Sequence, residues 1–187
     1  LSNDPMGELE PRITKEINVG GTKKLISAVN KSNISKFIYM SSCSVYGFNE
    51  SSANENSEPN PLTEYAKAKI ENEKHLLNNE GEYEVKILRN ATAFGFSPNH
   101  RLDLVVNDLV YSALENNKIE VLSDGSPIRP VVHIRDICKV ISYLIEEDES
   151  PALLFNVGRN KMNYSIRDIA LAVSKLTNID HITFGLP

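Results

Sequence analysis

Lys36-Phe37-Ile38-Tyr39-Met40-Ser41-Ser42-Cys43-Ser44-Val45-Tyr46-Gly47 and Asn60-Pro61-Leu62-Thr63-Glu64-Tyr65-Ala66-Lys67-Ala68-Lys69 are the two stretches on which the fold turns. Residues 36–41 (KFIYMS) form a short apolar run with aromatic and β-branched members, which predicts a buried strand. Serine, asparagine, glutamate and proline dominate 49–61, so a surface loop follows. A helix is then predicted to start near Pro61–Thr63, with proline in its first turn and Thr63 as its cap, and to run to about Asn79.

Working outward, Ile13, Ile17, Leu25, Ile26 and Val29 recur at near-helical spacing, which predicts an amphipathic helix over 12–31. Downstream, strands are expected at 84–89, 119–122, 131–134 and 153–157, with one more starting at 181–184. Helices are expected over 102–117, 135–147 and 166–176. Strands alternating with helices predict a parallel α/β sheet. The short strands after residue 118 predict a smaller lobe attached to it.

Tyr65 and Lys69 stand at i and i+4, so both side chains leave one face of their helix. A phenol titrates near 10 and is a poor base at neutral pH, but an adjacent ammonium favours the phenolate. That pairing makes Tyr65 a candidate general acid/base. Ser42, at the carboxyl end of the preceding strand, lies where open α/β sheets bind ligands, and its hydroxyl can hold the oxygen whose proton moves. A Tyr-x-x-x-Lys pair alone is a common accident of helices. The succession of strand, SSCSVYG, polar loop and NPLTEYAKAK makes it informative.

The 187 residues include 41% hydrophobic and 24% charged side chains with a formal charge of −5, ordinary values for a globular chain. No basic face dominates, which argues against nucleic acid as a partner. No apolar run is long enough to span a bilayer, so no membrane partner is expected. Cys43 and Cys138 make no disulfide framework, and the four histidines lack zinc-ligand spacing, so a metal-free, cytoplasmic protein is expected. His133 alternates with apolar neighbours and reads as a structural histidine. Cys43 reads as a small packing residue.

Taken together, these motifs resemble the extended short-chain dehydrogenases/reductases, within the NAD-dependent epimerase/dehydratase group, over essentially the whole chain. Asn18-Val19-Gly20-Gly21-Thr22 resembles the family's Asn-Val-x-Gly-Thr helix start, and Ser42, Tyr65 and Lys69 match its catalytic positions. The resemblance implies cofactor contacts from Asn18, Ser41, Tyr65, Lys69 and Ala91. It implies substrate contacts from Ser42, Thr92 and Arg129, the last reaching a diphosphate through its guanidinium. Arg129 comes from a stretch, Asp124-Gly125-Ser126-Pro127-Ile128-Arg129 followed by Val132-His133-Ile134-Arg135-Asp136, that is similar to a family signature.

The fold expected from this resemblance is α/β, a partial Rossmann-like parallel sheet (the second half of that fold) with a smaller C-terminal substrate-binding lobe. Residues 1–91 would form the C-terminal half of the NAD-binding domain and carry the catalytic residues. Residues 92–187 would form mainly the substrate-binding lobe, with 153–157 returning a strand to the sheet. None of the nine glycines makes the spacing of a dinucleotide phosphate loop, and no ribose-binding acid follows a second strand. The sequence is therefore expected to be an interior piece, inactive alone, of a protein of about 300 residues.

The implied function is a nucleotide-sugar epimerase or keto-reductase using Ser-Tyr-Lys chemistry. NAD is the implied cofactor, with NADP left open, and the partners are a nucleotide sugar and, left open, a second copy of the chain. The alternatives are a nucleotide-sugar 4,6-dehydratase or a non-catalytic nucleotide-binding protein on the same fold. Dehydratases of the family place an acid just before Val-Tyr-Gly, and this chain has Cys43-Ser44 there, which ranks epimerisation above elimination.

Overall fold

A computed structural model describes residues 4–48, 52–78, 81–147 and 149–186. In chain order the first elements are α1 (Asp4–Leu9), α2 (Pro11–Lys15), a π-helical turn (Glu16–Gly20) and α3 (Gly21–Val29). Then come β1 (Lys36–Ser42), a 3-10 turn (Cys43–Tyr46), α4 (Glu64–Leu77), β2 (Glu84–Asn90) and β3 (Thr92–Phe94). The rest are α5 (Val105–Asn116), β4 (Ile119–Val121), β5 (Ile128–His133), α6 (Ile134–Glu146), β6 (Leu154–Val157), β7 (Asn163–Ser165), α7 (Ile166–Thr177) and β8 (Ile182–Phe184). These divide into two compact units: the chain up to Asn90 with Ile141–Val157, and Ala91–Val140 with the residues from Gly158 onward.

The first unit is built on a parallel sheet in the order β1-β2-β6. Its central strand β2 is buried continuously from Val85 to Arg89, as a strand covered on both faces must be. Register pairs Ser42 with Asn90 and Asn90 with Val157, so the three carboxyl ends lie in one row. Ile26 of α3, Leu76 of α4 and Tyr39, Val85 and Ile87 of the sheet form its core with Tyr83.

The helix expected over 12–31 is helical from Pro11 to Val29, but it carries the π-helical turn in its middle. Within that turn the Asn18 carbonyl accepts from Thr22 Oγ1 (2.7 Å) and Asn72 Nδ2 (2.8 Å), side-chain bonds that compete with a regular ladder. α4 begins at Glu64, one residue after its cap: Thr63 Oγ1 accepts from the Ala66 amide at 3.1 Å. Pro61 therefore precedes the helix instead of standing in its first turn. The expected end at Asn79 lies outside the described residues.

The second unit holds β3 parallel to β5, β5 antiparallel to β7, and β4 parallel to β8. Leu109 and Ala113 of α5 and Ile169, Ala170 and Val173 of α7 close on Ile119, Val121 and Val131. Strand β5 runs three residues earlier than its apolar run, because Ile128–Pro130 pair with β7 while Val131–His133 pair with β3. Ile134 opens α6 instead of ending the strand.

Candidate active site

At the end of β1 the chain turns sharply, and the turn has its own chemistry. Ser42 is extended (φ −147°, ψ 147°) and caps the 3-10 turn, its Oγ accepting from the Ser44 amide at 3.2 Å. Gly47 ends the turn at φ +64°, where an added Cβ would stand 2.1 Å from the Asn60 carbonyl oxygen. Only glycine fits there. Asn60 N–H donates to the Val45 carbonyl at 3.0 Å, bringing the loop back toward α4.

Tyr65 is 8% exposed, in the first turn of α4. The Lys69 ammonium lies 5.5 Å from the Tyr65 ring centroid and 5.0 Å from that of Tyr39, and donates to the Met40 carbonyl at 2.7 Å. Two aromatic faces and a strand carbonyl thus fix the charge near the end of β1. Burial pulls Lys69 down from 10.5 to about 8, against the opposing pull of Glu73. It is still mostly an ammonium at neutral pH. Tyr39, the second ring on Lys69, is pushed upward by burial although Asn72 donates to its hydroxyl at 2.9 Å. Its phenol is thereby kept out of acid/base work near neutrality.

Beneath this surface runs a buried polar network. The Arg89 guanidinium grips Glu73 through Nη2 (2.6 Å) and Nε (3.1 and 3.2 Å). Ser41 Oγ donates to Glu73 Oε1 at 2.5 Å, Arg89 Nη1 to the Tyr46 hydroxyl at 3.0 Å, and that hydroxyl to Asn156 Oδ1 at 2.7 Å. Successive strand residues face opposite ways, so with Ser42 at the turn, Ser41 points inward to Glu73. Its carbonyl accepts from Asn90 Nδ2 at 3.2 Å. Ser41, expected as a cofactor contact, has its hydroxyl and carbonyl engaged inside the unit.

The structure thus brings Ser42, Tyr65 and Lys69 into one unit around the carboxyl end of β1. Asn18, in the π-helical turn of the same unit, is half-buried. Ala91, Thr92 and Arg129 belong to the other unit. There Thr92 pairs with Val131, two residues along β5 from Arg129. Arg129 is exposed, donates to the Ile128 carbonyl at 3.1 Å, and has no acidic partner among the described residues. His133 packs edge-on against Phe94 (5.2 Å), and its Nδ1 accepts from the Arg135 amide at 3.1 Å.

Glu73, Arg89 and Asp4 are the site neighbours that the sequence reading missed. A signal for the first two was present, since an arginine inside the apolar run EVKILR demands a buried partner. Asp4 carried none: it meets Ser44 across 40 residues of chain. Among the described residues no cluster of His, Cys, Asp and Glu could hold a metal, and no helix is long and apolar enough to cross a membrane.

A parallel β1-β2-β6 sheet with polar residues gathered at its carboxyl end defines a Rossmann-like α/β protein. The profile of the NAD dependent epimerase/dehydratase family matches residues 1–158, and the chain belongs to that family. An uncharacterized UDP-glucose epimerase of Bacillus subtilis is 27% identical over 143 residues, 75% of this chain and 45% of its own length. The chain thus spans less than half of that relative. UDP-glucuronic acid 4-epimerase from Bacillus cereus, solved with UDP-glucuronic acid and NAD, gives a TM-score of 0.81 at 25% identity over 92% of this chain and 55% of that one. UDP-glucose 4-epimerase from Thermus thermophilus, solved with NAD, gives 0.87 at 19% identity over 100% of this chain and 63% of that one, a likeness of fold.

Proposed function

We propose that Ser42, Tyr65 and Lys69 are the acid/base machinery of an NAD-dependent nucleotide-sugar epimerase or keto-reductase. The observation that carries this reading is the placement of Lys69 between the Tyr65 ring and the carboxyl end of β1. A charge held there favours the Tyr65 phenolate and makes a phenol serve as a base near neutrality. The site suits NAD as well. Lys69 has three donors, of which one is on Met40, and the others suit the hydroxyls of a ribose. Asn18, Tyr65 and Lys69 would hold the nicotinamide end.

Bound NAD supplies reversible hydride transfer. Tyr65 takes the proton of a sugar hydroxyl and returns it, while Ser42 holds the same oxygen. Within the second unit, Thr92 and Arg129 lie on the paired strands β3 and β5, and the exposed guanidinium of Arg129 is matched to a diphosphate by its paired donors. The bland alternative, a non-catalytic binding protein, leaves the cost of burying Lys69 without a return.

The test is incubation of a full-length protein carrying this sequence with NAD and either UDP-glucose or UDP-glucuronic acid, with products read by proton NMR. Inversion at C4 is the expected result, and reduction of an added keto sugar nucleotide would identify the keto-reductase. Loss of water would identify a dehydratase, and no conversion of any of these would contradict the reading.

A further inference from the structure

The hydrogen bonds around Asp4 have a fixed direction, and that direction reaches Ser42. An ionised carboxylate has no proton to give, so both of its oxygens accept. Asp4 Oδ2 accepts from Ser44 Oγ at 3.0 Å, and Asp4 Oδ1 accepts from Thr63 Oγ1. Ser44 has one hydroxyl proton, and Asp4 receives it. The 3.2 Å approach of Ser42 Oγ to Ser44 Oγ therefore has Ser42 as the donor. Ser42 Oγ also accepts from the Ser44 amide at 3.2 Å. One lone pair is left on Ser42, and its proton points away from any substrate.

We propose that Asp4 is a positioning residue that acts through Ser44 to fix Ser42 as a hydrogen-bond acceptor, and that the three form a relay for the proton of the sugar hydroxyl. It rests on the reading above that Ser42 faces that hydroxyl. As hydride leaves the sugar carbon for the nicotinamide cofactor, the hydroxyl proton passes to Ser42, the Ser42 proton to Ser44, and the Ser44 proton to Asp4. One O–H bond breaks and one forms at each serine, and the negative charge of Asp4 is discharged. Afterwards every hydrogen bond in the chain runs the other way, and Ser42 donates to the new carbonyl oxygen. Reduction reverses the sequence. The relay supplies a carboxylate next to Ser44 from a distant part of the chain, and gives the proton a second route beside Tyr65.

The ends of α1 hold Asp4 in place. Thr63, which takes one carboxylate oxygen, is the cap of α4. Glu8 accepts from the Glu64 amide at 2.6 Å, and Gly7 is packed so closely that an added Cβ would stand 3.0 Å from the Tyr65 Cβ. The carboxylate is thus tied to the same helix start that carries Tyr65.

Neutron diffraction from crystals of the deuterated protein reads the relay without any turnover. Deuterons on the line from Ser42 to Ser44 to Asp4 are expected, and a Ser44 deuteron directed at Ser42 overturns the proposal. Kinetics with the nucleotide sugar converted in the NMR assay give the second arm. In the Tyr65→Phe background, where the relay is the remaining route, Asp4→Asn and Ser44→Ala are each expected to lower the residual kcat about tenfold with KM within about twofold, and the two together to do no worse than either. A residual kcat left unchanged by Asp4→Asn in that background, or losses that add when Ser44→Ala is combined with it, overturns it. Failure of the Tyr65 assignment shows itself separately, as undiminished turnover in Tyr65→Phe.

Discussion

The interiors of the two units differ in kind. Thr14, Ser41, Asn72, Glu73, Lys86 and Arg89 are buried in the first unit, whereas Asn107 is the buried polar side chain described in the second. The second unit is held by aliphatic packing of α5 and α7 on short strands, which tolerates conservative exchange. The first is held in part by directional bonds between charged groups, which tolerate little. Such bonds are costly to bury, and they fix angles that apolar packing leaves loose. The unit that carries Ser42, Tyr65 and Lys69 is the one that bears this cost.

The comparison breaks most readily at Glu73. Glu73→Ala strands the Arg89 guanidinium in the interior and is expected to cost about 3–5 kcal/mol in a urea unfolding experiment. A cost near that of a surface substitution would remove the distinction between the units. In the second unit, Ile119→Val trims one methylene from a fully buried side chain and is expected to cost about 0.5–1.5 kcal/mol in the same experiment. A larger loss there than at Glu73 would invert the comparison.

Lys69 sharpens it with the smallest effect. Lys69 is half-buried and its ammonium is desolvated at a cost, so Lys69→Met is expected to raise the melting temperature at pH 7 by about 2–4 °C. The folded-state value near 8 lies below the ordinary 10.5, so between those limits the unfolded chain binds more protons than the native one. Native stability contributed by this group therefore rises through that window. The advantage of Lys69→Met should shrink from pH 8 and vanish by about pH 10.5. Melts across that range check it, and an advantage independent of pH would assign the gain to packing alone.

How much of this was legible in the sequence divides along the same line. The β1 strand, the Thr63 cap and the Tyr65–Lys69 face follow from short-range patterns, and the structure has all three. β3 and β7 were missed because TAF and NYS lack the β-branched pairs that mark the equally short β4 (IEV) and β8 (ITF), and each depends on β5 for its pairing. The network at Glu73 was missed for another reason. On a helix rich in Glu and Lys, Glu73 looks like one more solvated charge, and only the inward face of β1 and the position of Arg89 make it a buried one. Asp4 lies furthest from legibility, because its partners Ser44 and Thr63 are 40 and 59 residues away.

The central claim is that the Tyr65 hydroxyl moves the proton, and Tyr65→Phe tests it most directly because it removes that oxygen and leaves the ring. In a full-length protein carrying this sequence, with NAD and the nucleotide sugar both saturating, kcat is expected to fall by about 10²–10⁴ while the melting temperature and nucleotide-sugar affinity stay close to wild type. Turnover within about threefold of wild type would contradict the assignment, since a general acid/base contributes far more than that.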